Sequence, residues 1–390
     1  IDLFSFQLVP ERLFDLVQFV LLLSLVLSVA LYFIFLRKSR IPKHFDWLII
    51  GIILASLFSS IPAYFIHGQP IYLSILASRG IFFWMVYWLL HHYKFGQQTI
   101  ANVIISIGLI WAFIYMIEQI TYPTVLFAMY EDSSTRFGVQ RIFLSDVRYP
   151  VVAGFLLWGK LFRDFKFKYI LSLVFLTISL ILTGTRQVIF PFILLIVFSL
   201  VYSGNIKTIT KYGALILSIL IIILVNNWEY IVKLVDFTVS QNLLSGSYIR
   251  IISGKYFLFD YFPHWLTVVS GNGWEHTLSS YGAEITELKE YFKFYRSDVG
   301  LIGAFNKFGI IYIFIAVYLY IKAYLSIPNR LENVSLKISV LYLILTAFTG
   351  RNYFEYLPTI ILFASLLYLI DVNKFYETPF VNRNSVSLNE

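Results

Sequence analysis

Cysteine is absent from the 390 residues, which excludes a disulfide framework, a thiolate nucleophile and any cysteine-ligated metal. Charge is scarce: Asp, Glu, Lys and Arg together make up 13% of the chain, against about 25% in an ordinary soluble domain. No HExxH, DxD, GxSxG or GxxxxGK pattern occurs, so metal-assisted and soluble-nucleotide chemistry find no motif here, and no cofactor is expected. The net charge of +8 does not point to nucleic acid, because no basic run is long enough to track a phosphate backbone. A cleavable signal peptide, with its charged n-region and short apolar core, is not visible either.

What the chain has is apolar length. Hydrophobic residues make up 59% and aromatic residues 19%, and the mean hydropathy is +0.76. A run such as 16–36 is uncharged over the roughly 20 residues that a helix needs to cross the hydrocarbon core. The expected fold is therefore an all-α, polytopic transmembrane helical bundle forming a single membrane domain over 1–390. Its eleven spans are read at 14–36, 46–66, 71–91, 98–120, 148–163, 168–185, 186–203, 212–228, 299–324, 337–350 and 356–371. No internal repeat and no inverted pair of broken helices is evident, which counts against a secondary transporter.

Basic residues set the orientation. The first span ends in Arg37, Lys38, Arg40 and Lys43, and alternation from there gathers fifteen Lys and Arg on one side. The short segments of the other side hold only Arg12, Arg186 and Arg351. By the positive-inside rule the richer side is cytoplasmic. The one long connection, 228–297, then lies outside, as does a shorter interfacial segment at 121–148. An odd span count leaves the visible N-terminus outside as well, and a twelfth helix ahead of Ile1 is expected to bring both termini inside.

Within the long connection, 243–262 alternates aromatic residues with spaced charges and suits an amphipathic helix at the lipid headgroups. The 283–296 stretch reads as a second short helix. Between them Ser270-Gly271-Asn272-Gly273-Trp274 has turn chemistry.

The chemistry-bearing candidates collect at the external ends. Arg186 follows Thr183-Gly184-Thr185 in a very tight hairpin, where its planar fork would suit a diphosphate; the competing role is snorkelling to headgroups. Arg250 and Lys255 sit about a helical turn apart in the amphipathic stretch, and Arg351 follows Gly350 at another outer end. Asp298 precedes the ninth span and reads either as a general base at the membrane boundary or as that helix's N-cap. His264, His276, Glu275, Glu287 and Glu290 share the external face; each taken alone reads as a solvated loop residue. Arg79, inside the third span, is expected to pair with Glu118.

The order of these features resembles the O-antigen polymerase and O-antigen ligase superfamily of bacterial envelope enzymes. Gly184-Thr185-Arg186 is similar to the short G-[ST]-R turn that its members carry midway along their sequences. Arg250 followed by Gly271-Asn272-Gly273-Trp274 is similar to its arginine and G-x-G-aromatic turn. Ser297-Asp298-Val299-Gly300-Leu301 with Phe308-Gly309-Ile310 is similar to its last polar-glycine element. The likeness covers about 100–370 on short motifs. Ser297-Asp298 stands where ligases of this superfamily carry His-Asn, which favours a polymerase.

The resemblance implies transfer of a glycan from undecaprenyl diphosphate, at the periplasmic face of the inner membrane, onto a lipid-linked acceptor. Asp298 and Arg186 would be catalytic, and Arg250, Lys255, Arg351, Trp274, His264 and His276 would bind substrate. It further implies contact with membrane lipids and with a chain-length regulator protein. The alternatives are ligation to another acceptor or a lipid-linked sugar flippase.

Overall fold

The computed structural model describes residues 11–34, 42–124, 126–127, 135–136, 139–140, 142, 144, 146–203, 249–348 and 356–377. Within them the protein is helical apart from one two-residue antiparallel pair, β1 (Thr135–Arg136) with β2 (Val139–Gln140). Four helical stretches are long and apolar enough to cross a membrane, Asp46–Phe65, Gln97–Thr121, Leu301–Ser326 and Leu357–Lys374. A fifth is formed if the bent pair Ile71–Ala77 and Arg79–Tyr93 counts as one. Helices occupy the positions of ten of the expected spans. The span expected at 212–228 and about half of the 121–148 segment lie outside the described residues.

The helices are α1 (Glu11–Ile34), α2 (Asp46–Phe58), α3 (Ser60–Phe65), α4 (Ile71–Ala77), α5 (Val86–Tyr93), α6 (Gln97–Thr121), α7 (Arg148–Arg163), α8 (Phe167–Leu182) and α9 (Arg186–Ser203). Beyond residue 248 come α10 (Ile249–Lys255), α11 (Trp265–Ser270), α12 (Ser280–Tyr291), α13 (Leu301–Ser326), α14 (Val334–Ala347) and α15 (Leu357–Glu377). α2 and α3 are one rod interrupted at Ser59, since Pro62 has no amide to offer the carbonyl of Phe58 and its ring crowds that position.

The centre of the bundle is α7, which is apolar on every side from Tyr149 to Gly159 and buried along that length, as an enclosed helix must be. Small residues let its neighbours close in, as at membrane helix interfaces generally. A Cβ on Gly108 of α6 would lie 2.4 Å from that of Ala153, and one on Gly159 would meet Ser335 of α14 at 2.5 Å. At the end of the bundle reached by the C-terminus of α13, a buried carboxylate gathers three helices and the turn that precedes α2. Asp371 accepts from Tyr87 and lies 2.8 Å from His44 Nδ1 and 3.2 Å from His91 Nε2, while Lys322 of α13 donates to the His44 carbonyl.

Two expectations change. Arg79 donates to Gln18 (2.9 Å) and lies over Phe19, while Glu118 accepts the backbone amides of Leu126 and Phe127. Among the described residues the expected Arg79–Glu118 ion pair does not occur, and each takes other partners. The spans are also not all continuous. The third bends by 56° around a 3-10 turn at Arg79–Met85, and α13 breaks at Gly309, where φ is 77°.

Candidate active site

The break in α13 is the foundation of a cap formed by residues 249–300. Interrupting the helix frees carbonyls that would otherwise be bonded internally. Those of Asn306 and Lys307 accept the amides of Asn272 (2.9 Å) and Gly273 (2.8 Å). The turn must come very close for this. A Cβ on Gly271 (φ +82) would lie 2.0 Å from the Lys307 oxygen, and one on Gly273 (φ +84) 2.7 Å from the Ser59 oxygen. Only glycine meets both the conformation and the approach.

Side chains complete the docking. Asn272, wholly buried, donates to the carbonyls of Tyr261 and Asn306 (both 3.1 Å) and accepts from His67 Nε2 (3.0 Å). His67 stacks on Tyr281 with centroids 4.2 Å apart, and its burial lowers its pKa, so it is held neutral. Gln69 has all its capacity used: it accepts from the His276 amide and Ser279 Oγ and donates to Ser74 Oγ and the Trp274 carbonyl. The loop after α3 is thus a clamp on the cap.

Beneath the cap surface lies a buried charge network. Glu275 meets Lys289 Nζ at 3.0 Å and Arg296 Nη1 at 3.2 Å. Arg296 Nη2 donates to Tyr281 Oη (2.7 Å), and its guanidinium lies 5.3–5.6 Å from the ring centroids of Phe257, Tyr261 and Tyr281, a cation–π cage. Burial alone would raise the Glu275 pKa. The fields of Lys307, Arg296 and Lys289 outweigh it and hold the carboxyl at about 2. Burial pushes the Tyr261 and Tyr281 hydroxyls up, so both stay protonated.

Arg250 and Asp298, 48 residues apart in sequence, meet at the edge of this cap with 3.7 Å between Nη2 and Oδ2. Their side chains are 35% and 41% exposed. Asp298 rides on the 3-10 turn Arg296–Val299. It is not the N-cap of the following helix: that position belongs to Gly300 (φ +57), where a Cβ would lie 2.5 Å from the Ala347 oxygen. The capping role expected for Asp298 is therefore replaced by an ion pair with Arg250.

The other predicted residues are scattered. Lys255 is exposed at the end of α10. Trp274 is half-buried under the Lys307 ammonium, 4.5 Å from its ring centroid. His264 caps α11, its Nδ1 accepting from the Leu266 amide (3.1 Å). His276 likewise accepts from the Leu278 amide (3.2 Å). Each keeps Nε2 for another partner. Arg186 begins α9, though its side chain is not among the described ones, and Arg351 lies outside the described residues.

Glu275, expected as a solvated loop residue, is instead the hub of the buried network. Sequence reasoning passed over Arg296, Lys307, His67 and Gln69 as site-forming residues. Two signals were present: Asn306-Lys307 inside an apolar span, where polar groups are costly, and the polar trio His67-Gly68-Gln69 closing the second. Among the described residues no group of three metal-ligating side chains occurs. The Arg250–Asp298 edge can offer one carboxylate to take a proton and one guanidinium to hold an anion. No protein-family model matches the chain, and no curated protein matches it significantly.

Proposed function

We propose that the protein polymerises lipid-linked repeat units of a surface polysaccharide such as O-antigen, by glycosyl transfer at the periplasmic face of the bacterial inner membrane. The observation that carries this reading is the Arg250–Asp298 pair, half-exposed beside a rigid buried network. An exposed pair of this kind is worth less than about 1 kcal/mol, so an arriving diphosphate can draw Arg250 away and leave the carboxylate uncovered.

In the reaction, Asp298 takes the proton of the acceptor hydroxyl as its oxygen attacks the anomeric carbon of the donor. The bond from that carbon to the diphosphate breaks, and undecaprenyl diphosphate leaves with the electron pair. Arg250 and Arg186 stabilise the charge that develops on it, with Arg351 and Lys255 as further cations. Trp274, His264 and His276 contact sugar, the histidines through Nε2.

The two broken spans favour a second reading, a lipid-linked sugar transporter, because discontinuous helices commonly surround transport sites. Purified protein in nanodiscs, supplied with undecaprenyl-diphosphate-linked repeat units, should yield a ladder of lengthening products. A transporter gives none, and a ligase gives a single transfer to a non-repeat acceptor.

A further inference from the structure

Two backbone irregularities of the cap converge on one set of side chains. The first is the π-turn Tyr256–Asp260 that follows α10, closed by the Tyr261 amide on the Tyr256 carbonyl (3.0 Å). Such single π-turns are frequent at functional sites. The second is Lys293, a non-glycine residue with φ +57 just past the end of α12. Glycine is the ordinary choice there, and a side chain in this conformation is strained. The Phe294 amide returns to the Leu288 carbonyl (3.1 Å), locking the turn.

Between them these features bring three rings together. Phe292 and Phe294, on either side of Lys293, have centroids 5.7 Å apart, and Tyr256 follows Phe294 at 5.3 Å. Phe292 is 58% exposed, and the other two are half-buried. The row therefore leads from solvent inward to the residue that directly follows α10, the helix bearing Arg250.

An exposed phenylalanine in a membrane protein usually faces lipid, but the neighbourhood argues against that here. The adjoining α12 exposes Glu284, Glu287 and Glu290. Carboxylates are expelled from hydrocarbon, and anionic headgroups repel them. Three carboxylates beside the rings therefore oppose their insertion into lipid.

We infer that Phe292, Phe294 and Tyr256 form a stacking rail for a polysaccharide, each ring taking the apolar C–H face of one pyranose and leading the glycan towards Arg250–Asp298. The assignment of the rail to the growing glycan rests on the polymerase reading.

The test uses the full-length protein in nanodiscs with a lipid-free probe. The probe is fluorescently labelled oligosaccharide released by mild acid from the lipid-linked glycans of the producing cells. The unaltered protein should bind it saturably. Phe292→Ala and Phe294→Leu should each weaken binding about tenfold, the scale of one aromatic contact. Phe294→Tyr, which keeps a ring, should bind as before and controls for folding. Unchanged affinity in both ring-removing variants, or no binding by the unaltered protein, overturns the rail.

A second arm addresses lipid directly. Phe292→Cys supplies the sole thiol of the protein, and a bimane attached there should be insensitive to brominated lipids. Strong quenching would put the rings in the membrane and overturn the proposal. The probe carries no diphosphate, so the two readings fail separately. Glycan binding that needs the rings, without a product ladder, sinks the polymerase and keeps the rail. A ladder with ring-independent binding does the reverse.

Discussion

Glu275→Gln should destabilise the cap in a strongly pH-dependent way. In the folded protein the carboxyl sits at about 2 against an ordinary 4.5. Each pKa unit is worth about 1.36 kcal/mol, so the charged form contributes about 3 kcal/mol once pH is well above 4.5. That agrees with two charge-assisted bonds, to Lys289 and Arg296, at about 1.5–3 kcal/mol each before desolvation is subtracted. Because the folded pKa is the depressed one, the contribution is complete above the unfolded value and disappears as pH falls from about 4.5 towards 2. At pH 3 about half remains. Glutamine keeps the shape and removes the charge, so the variant should lose about 3 kcal/mol at pH 7 and progressively less below pH 4.5. Limited proteolysis of the cap in nanodiscs reads this local opening. A penalty equal at pH 7 and pH 3, or no penalty at all, would refute the assignment of the network as the cap's electrostatic lock.

Four further outcomes are expected. Reporters fused after Lys43, Lys168, Lys211 and Asn329 should read as cytoplasmic and one near Ser279 as external; a cytoplasmic signal at Ser279 inverts the topology. Gly271→Ala should undock the turn from α13, because its Cβ would lie 2.0 Å from a backbone oxygen at a positive φ; cysteine cross-linking between 272 and 306 should fail, and normal cross-linking would contradict so close an approach. Arg186→Ala should abolish polymer while membrane insertion persists, with poor rescue by Arg186→Lys, since an ammonium cannot reproduce the fork; full activity would reduce the residue to an anchor. Asp298→Asn should lower turnover by about two to four orders of magnitude, the span of general-base catalysis. It should cost under about 1 kcal/mol of stability, because the pair it breaks is half-exposed. Near-normal polymer would move the base role elsewhere.

The helical elements were legible in sequence because lipid imposes one rule on every span: an apolar run of sufficient length with its backbone satisfied internally. That rule is local, so Gln97–Thr121 could be read without knowing its neighbours. The breaks were not legible. Gly309 looks like any glycine in a membrane helix until the amides of Asn272 and Gly273 arrive to take the freed carbonyls, and those amides belong to a turn more than thirty residues earlier. The same holds for the charges. Glu275, Lys289 and Arg296 look in sequence like spaced solvated residues of a loop and Lys307 like an isolated cation inside a span, and only docking of that loop on α13 puts the three cations within the field of one carboxylate. Asp298 shows how a local rule can mislead. An acid just before a helix is a good cap by propensity, yet Gly300 is needed where α13 passes the end of α14, since any Cβ there would strike the Ala347 carbonyl. The approach of α14 thus sets the helix start two residues later and leaves the Asp298 carboxylate out on a 3-10 turn, where Arg250 can reach it. The pairing that best supports chemistry at this edge is therefore a product of helix packing, which is why the sequence offers Arg250 and Asp298 separately and does not announce that they meet.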